Sequence, residues 1–145
     1  MIQLTPTQIK EIAEQLDCGF RCYIHKQTGE LITIPDENSH PDMDLEGWEE
    51  DIEKIETNFT EYIVIDPLES RDSFGIMEDF VESLPESEKI REWLINALNQ
   101  HKPFSKFKFV IDNSGEYRQQ WFDFKAKRLQ EYVQEEIEFL ARLKK

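Results

Sequence analysis

The sequence predicts an α+β fold with segregated elements. An N-terminal helix, an antiparallel hairpin and one further strand come first, and a mostly helical C-terminal half with a long terminal helix follows. Three observations carry this reading. Strand-like apolar patterns occur only before Pro67. Helical spacing dominates after it. With 145 residues and 39% hydrophobic content, the chain is long enough for one self-sufficient core. The expected organisation is a single domain over 1–145, with a strand-containing part at about 1–67 and a helical part at about 68–145.

Leu4-Thr5-Pro6-Thr7-Gln8-Ile9 reads as a helix start. Thr5 caps, Pro6 suits the first helical position and Gln8 completes a capping box, with Leu4 and Ile9 placed as a hydrophobic staple. Ile9, Ile12, Ala13 and Leu16 continue the helical spacing as far as Gly19. Phe20 to His25 and Glu30 to Ile34 read as hairpin strands around Lys26-Gln27-Thr28-Gly29, with Gly29 free to take positive φ. Phe20, Cys22 and Ile24 share one face, and Arg21, Tyr23 and His25 the other. Pro35 to Pro41 is a polar loop.

Leu45, Trp48, Ile52 and Ile55 predict a second helix with an acidic outer face. Tyr62 to Ile65 is a short strand stopped by Asp66-Pro67. Phe74, Met77, Phe80, Val81 and Leu84 form a helical stripe ended by Pro85. Ile90, Trp93, Leu94, Ala97 and Leu98 form another. Pro103 opens a short helix carrying Phe104, Phe107 and Ile111. The last helix runs from about Tyr117 to Arg142. Its apolar arc is wider than one packing face needs, so it is either deeply enclosed or faces a second chain.

Charge is laid out unevenly. The chain has 31 acidic and 17 basic residues, a formal net charge of −14. Asp36 to Glu56 holds ten acids and one lysine, a sum of −9. Lys102 to Arg128 holds seven basic and three acidic residues, a sum of +4, interleaved with aromatic rings. A strongly anionic chain repels nucleic acid and anionic lipid except where a basic patch overrides it. No apolar stretch approaches the roughly 20 residues that span a bilayer, and no signal peptide is expected at the N-terminus. Cys18 and Cys22, if both are strand residues, lie ~13 Å apart, too far for a disulfide. Reduced thiols in a cytoplasmic protein are the simple reading.

Reactive groups are thin. Asp36, His40, Asp42 and Asp44 fall within nine residues on the acidic loop and could hold a hard divalent cation for hydrolysis. The plainer reading is a solvated loop whose Asp44 caps the following helix. Cys18, Cys22 and His25 are too spread out for a zinc site. Asp66, Glu69 and Asp72 follow a strand end, where catalytic carboxylates are common, yet turn chemistry and capping by Ser70 or Ser73 explain them with less. No glycine-rich phosphate loop, nucleophile elbow or paired-histidine motif is present. No catalytic residue and no cofactor are therefore expected.

Lys102, Phe104, Lys106, Lys108, Arg118, Trp121, Lys125 and Arg128 make up the candidate interaction surface. Cations beside rings suit phosphate contacts and base stacking, but the rings equally suit a core, with the cations outside or answering the acidic helix at Asp44 to Glu56. Three runs resemble an uncharacterised bacterial protein family. They are Met77-Glu78-Asp79-Phe80, then Ala97-Leu98 leading into Lys102-Pro103-Phe104-Ser105-Lys106-Phe107-Lys108, then Trp121-Phe122-Asp123-Phe124-Lys125 with Arg128-Leu129. The family tends to carry a Gly-Ala-Phe-Arg-Arg-Phe-Lys-like stretch before a tryptophan-led helix. This chain has Lys102-Pro103 and Ser105 where the family has Gly-Ala and an arginine, which argues against an arginine-based phosphate site. The resemblance implies a bacterial, cytosolic protein and transfers no catalytic residue. The expectation is a non-catalytic acidic module that binds a protein partner or itself. The alternatives are a metal-dependent hydrolase on the acidic loop and nucleic-acid binding through Lys102 to Arg128.

Overall fold

Thr5 begins the first helix as its sequence demands. In the computed structural model, which describes residues 3–143, the Gln8 backbone N–H donates to Thr5 Oγ1 at 3.2 Å and the Thr5 N–H donates to Gln8 Oε1 at 2.8 Å. Helix α1 spans Pro6–Asp17 and buries Ile12, Ala13 and Leu16. Gly19, at φ +83°, then turns the chain into the sheet.

The sheet has three strands in the order β2-β1-β3, all antiparallel: β1 Phe20–His25, β2 Leu31–Pro35 and β3 Tyr62–Ile65. Cys22 pairs with Thr33 on one side and Ile65 on the other, and Tyr23 pairs with Ile32 and Val64. Gly29 turns the hairpin at φ +76°. A 3-10 turn, Glu46–Trp48, leads into α2, Glu49–Thr57.

Two compact units divide the chain. One is Met1–Leu68 with Leu129–Lys145, the other Glu69–Arg128. The first is a three-layer arrangement. One sheet face, through Cys22, Ile24 and Ile65, packs with Ile12, Ala13 and Leu16 of α1 and with Leu129 and Val133 of the last helix. The other face, through Ile32, Ile34 and Tyr62, is covered by Ile55 of α2, with Trp48 and Ile52 beside it. The first two helices thus take opposite faces of the sheet.

The second unit is helical. Helix α3 spans Ser70–Ser83, α4 Lys89–Leu98 and α5 Pro103–Asp112. Helix α6, Glu116–Leu143, supplies its first part here and its remainder to the first unit. Phe80 meets Trp121 and Phe124 with ring centroids 5.3 and 5.4 Å apart, and Phe107 meets Trp121 at 4.9 Å. The two cores take different residues of the wide apolar arc of α6, and Phe139 of that arc is left 50% exposed. No serine caps α3: Glu69 occupies the N-cap without a side-chain bond. Trp93 keeps helical phase with Ile90 and Leu94 but is 56% exposed, because the flank of the α4 stripe has no neighbour to cover it.

Candidate interaction surface

The acidic loop is fastened to the protein by its own side chains. Asp36 is buried and accepts from Arg21 Nη2 at 3.0 Å. The His40 ring donates through Nε2 to the Cys18 carbonyl at 2.8 Å and lies 5.5 Å from the Phe20 ring. Asp42 is exposed, and Asp44 Oδ1 accepts from the Glu46 N–H at 2.9 Å, fixing the turn before α2. Asp36, His40 and Asp44 therefore answer to different neighbours. Among the described residues no group of three or more His, Cys, Asp and Glu side chains is arranged to hold a metal ion.

Arg21 is the centre of a second polar group that the sequence pattern does not reveal. Its Nε lies 2.5 Å from Asp66, which follows β3, while Asp36 follows β2. Hydrogen bonding to Tyr23, and then to Asp66, holds the guanidinium protonated even further above its ordinary range, against the opposing effect of burial. The Tyr132 hydroxyl of α6 donates to the Asp66 carbonyl at 2.8 Å. This group clasps strand ends, and every charge in it has a partner.

The first unit also has an open cleft of about 590 Å³ beside Leu4 and Ile9 on one wall and Ile137 and Ala141 on the other. Among the described residues Glu138 and Arg142 are its charged lining residues.

The basic, ring-rich stretch separates into two sets. Arg118, Trp121, Lys125 and Arg128 serve the second unit internally. Trp121 is buried in its core. Arg128 pairs with Asp79 at 2.7 Å and lies over the Phe124 ring, Arg118 pairs with Asp112 at 3.3 Å and lies over Phe122, and Lys125 lies over Trp121 and Phe122. These cations answer acids and rings of their own unit.

Phe104, Lys106 and Lys108 of α5, and Lys102 at its N-cap, are exposed. Pro103 fixes the first turn, and Lys102 enters it at φ 57°, the one positive φ outside glycine among the described residues. Phe107 and Ile111, four apart, set the buried side of α5. At 100° per residue the opposite side is Lys102, Lys106 and Phe109. Phe109 is 71% exposed. Among the described residues Lys102, Lys106 and Lys108 make no side-chain hydrogen bond or ion pair, while Asp112, the one acid of α5, is held by Arg118. The outer side of α5 thus carries Lys102 and Lys106 with the exposed Phe109, and Lys108 is exposed on the other flank, about 160° around the helix from Lys106. Phe109 was readable from the helical phase of Phe107 and Ile111, although composition alone does not single it out.

The opposite charge is gathered on α2. Ile52 and Ile55 face the sheet, leaving Glu46, Glu49, Glu50 and Glu53 outward and exposed. Lys54, the one cation of this helix, is bound to Glu30 at 2.7 Å, which raises its pKa.

The model of the Uncharacterised protein family (UPF0158) matches residues 2–142, and the chain belongs to that family. It is 30% identical over 131 residues to the UPF0158 protein PA5073 of Pseudomonas aeruginosa, covering 90% of this chain and 80% of that protein. No solved structure matches. Among the described residues no helix is long and apolar enough to cross a membrane.

Proposed function

We propose that this chain is a non-catalytic protein-interaction module whose docking face is the outer side of α5 and whose partner presents an acidic polypeptide segment. One observation carries the reading: in a chain of net charge −14, Lys102 and Lys106 stand beside the exposed Phe109 with no ion-pair partner among the described residues. Unpaired cations beside a solvent-facing ring supply electrostatic steering and an apolar anchor together. Internal use of Arg118, Lys125 and Arg128 weighs against nucleic acid, since it removes cations that would neutralise phosphates. DNA would also extend past the ~15 Å of α5 into a repelling anionic field. A short acidic helix or strand fits within that length.

Fluorescence anisotropy tests this with a labelled Glu/Leu-rich peptide of about three helical turns, a Lys/Leu-rich control and a single-stranded oligonucleotide of similar length. The acidic peptide is expected to bind, and Lys106→Glu with Lys108→Glu to weaken it at least ~10-fold, a cost of about 1.4 kcal/mol. Peptide affinity indifferent to those changes, or tighter binding of the oligonucleotide, overturns the reading.

A further inference from the structure

We infer that the acidic segment seated on α5 is the α2 face of a second copy of this chain, so that copies associate head to tail. The inference rests on the reading of α5 as a docking face and names its partner.

The two faces match in sign and in spacing. On α5 the outward row is Lys102, Lys106 and Phe109, while Lys108 is exposed on the other flank, about 160° around the helix from Lys106. On the 3-10 turn and α2 the outward row is Glu46, Glu49 and Glu53, with Glu50 beside it. The Lys106 N–H donates to the Lys102 carbonyl at 3.1 Å, which places the two lysines across the first turn of α5, and Glu49 and Glu53 are one helical turn apart on α2, about 6 Å. Two helices laid side by side can therefore bring both lysines to both glutamates at once.

Neither face has its needs met within the chain. The lysines are free, and the one cation on α2 is already held by Glu30. Each face also has an exposed ring near it in sequence: Phe109 on α5, and Phe59, 68% exposed, just past the end of α2. The two surfaces are different, so the contact is heterologous and each copy keeps one face of each kind open.

The contact is small. Two faces of about three turns bury less than the ~1,200 Å² of a stable complex, so association is weak and reversible. Salt acts on it in two ways. At low ionic strength the −14 charge of each copy drives the molecules apart. Near 0.15 M the Debye length is ~8 Å, which screens that repulsion over molecular distances while contact pairs survive. At ~1 M the contact pairs are screened as well.

Sedimentation of the full chain from roughly 0.02 to 1 mM tests this, a range matched to weak encounters. The weight-average mass is expected to rise with concentration near 0.15 M salt, and to rise less at both 0.01 M and 1 M (Debye lengths of about 30 and 3 Å). Lys102→Ala with Lys106→Ala, and separately Glu49→Gln with Glu53→Gln, should each be monomeric across the range. Their equimolar mixture retains one good face of each kind and should form a dimer and nothing larger. A monomeric wild type, or variants that associate as well as wild type, overturns the inference. If the acidic peptide still binds α5 while copies stay apart, the docking face stands and the second copy is eliminated as its occupant. If the peptide also fails to bind, the docking face itself is lost.

Discussion

Arg21 holds a carboxylate that the fold has removed from water: its Nη2 stands 3.0 Å from Asp36 Oδ1, and Asp36 is 7% exposed. Antiparallel pairing brings the ends of β2 and β3 to the start of β1, so Asp36 and Asp66 both reach Arg21. The two pairs are unequal. Arg21→Met strands the Asp36 charge in a dry site and should cost about 1–3 kcal/mol, less than a fully enclosed pair because Arg21 is partly solvated. Asp66→Asn removes an exposed partner and should cost under ~1 kcal/mol. Urea unfolding of the two variants measures the difference.

Gly19 is predicted to resist replacement. At φ +83° it favours glycine, and a Cβ there would fall 2.6 Å from Ser39 Cβ and 2.9 Å from His40 Nε2. Gly19→Ala should lose about 1–3 kcal/mol from backbone strain and the displaced loop. Ser39→Gly in the same background should restore part of it. Gly47→Ala meets nothing within 4 Å and should be neutral or stabilising, by up to ~1 kcal/mol. Thermal unfolding of the three variants separates strain from crowding.

The two thiols should differ in reactivity. Cys18 is exposed, whereas Cys22 is buried in the first-unit core and burial, with Glu11 nearby, pushes its thiol up from 9.0 to about 12. One equivalent of a thiol reagent should couple rapidly to native protein at neutral pH, and the second only in denaturant. The folded state keeps the Cys22 proton where the unfolded chain releases it. Stability present below pH 9 is therefore lost as pH rises from 9 to about 12. Cys22→Ala should show a shallower alkaline fall in Tm than wild type.

Phe107 and Phe109 lie on one helix and should behave oppositely. Phe107 is buried against Trp121, so Phe107→Ala should cost about 3–5 kcal/mol. Phe109→Ser should change stability by less than about 0.5 kcal/mol. Chemical denaturation of both variants gives the comparison, and the unaltered fold of the second makes it a clean probe of binding.

Local signals proved sufficient where the chemistry is local. Thr5, Pro6 and Gln8 carry the start of α1 without tertiary help, and Asp66-Pro67 ends β3 at Ile65 as its backbone restrictions require. Relationships across the sheet were not legible. Asp36 and Asp66 were each visible as carboxylates after strands, but their meeting at Arg21 depends on the strand order β2-β1-β3, which no short pattern encodes. Trp93 shows the limit of periodicity: spacing assigns a residue to a stripe without saying whether anything covers that edge. The basic stretch divided for a similar reason. Its sign was plain in the sequence, but which cations were already spoken for depended on Asp79 and Asp112 lying within reach.

The return of α6 to the first unit sets an order of events during synthesis. Glu69–Arg128 is contiguous and can close once it has left the ribosome, whereas the sheet's core takes Leu129 and Val133 from the end of the chain. Until those residues emerge, Cys22, Ile24 and Ile65 lack part of their cover, and the nascent sheet leaves apolar surface open to water.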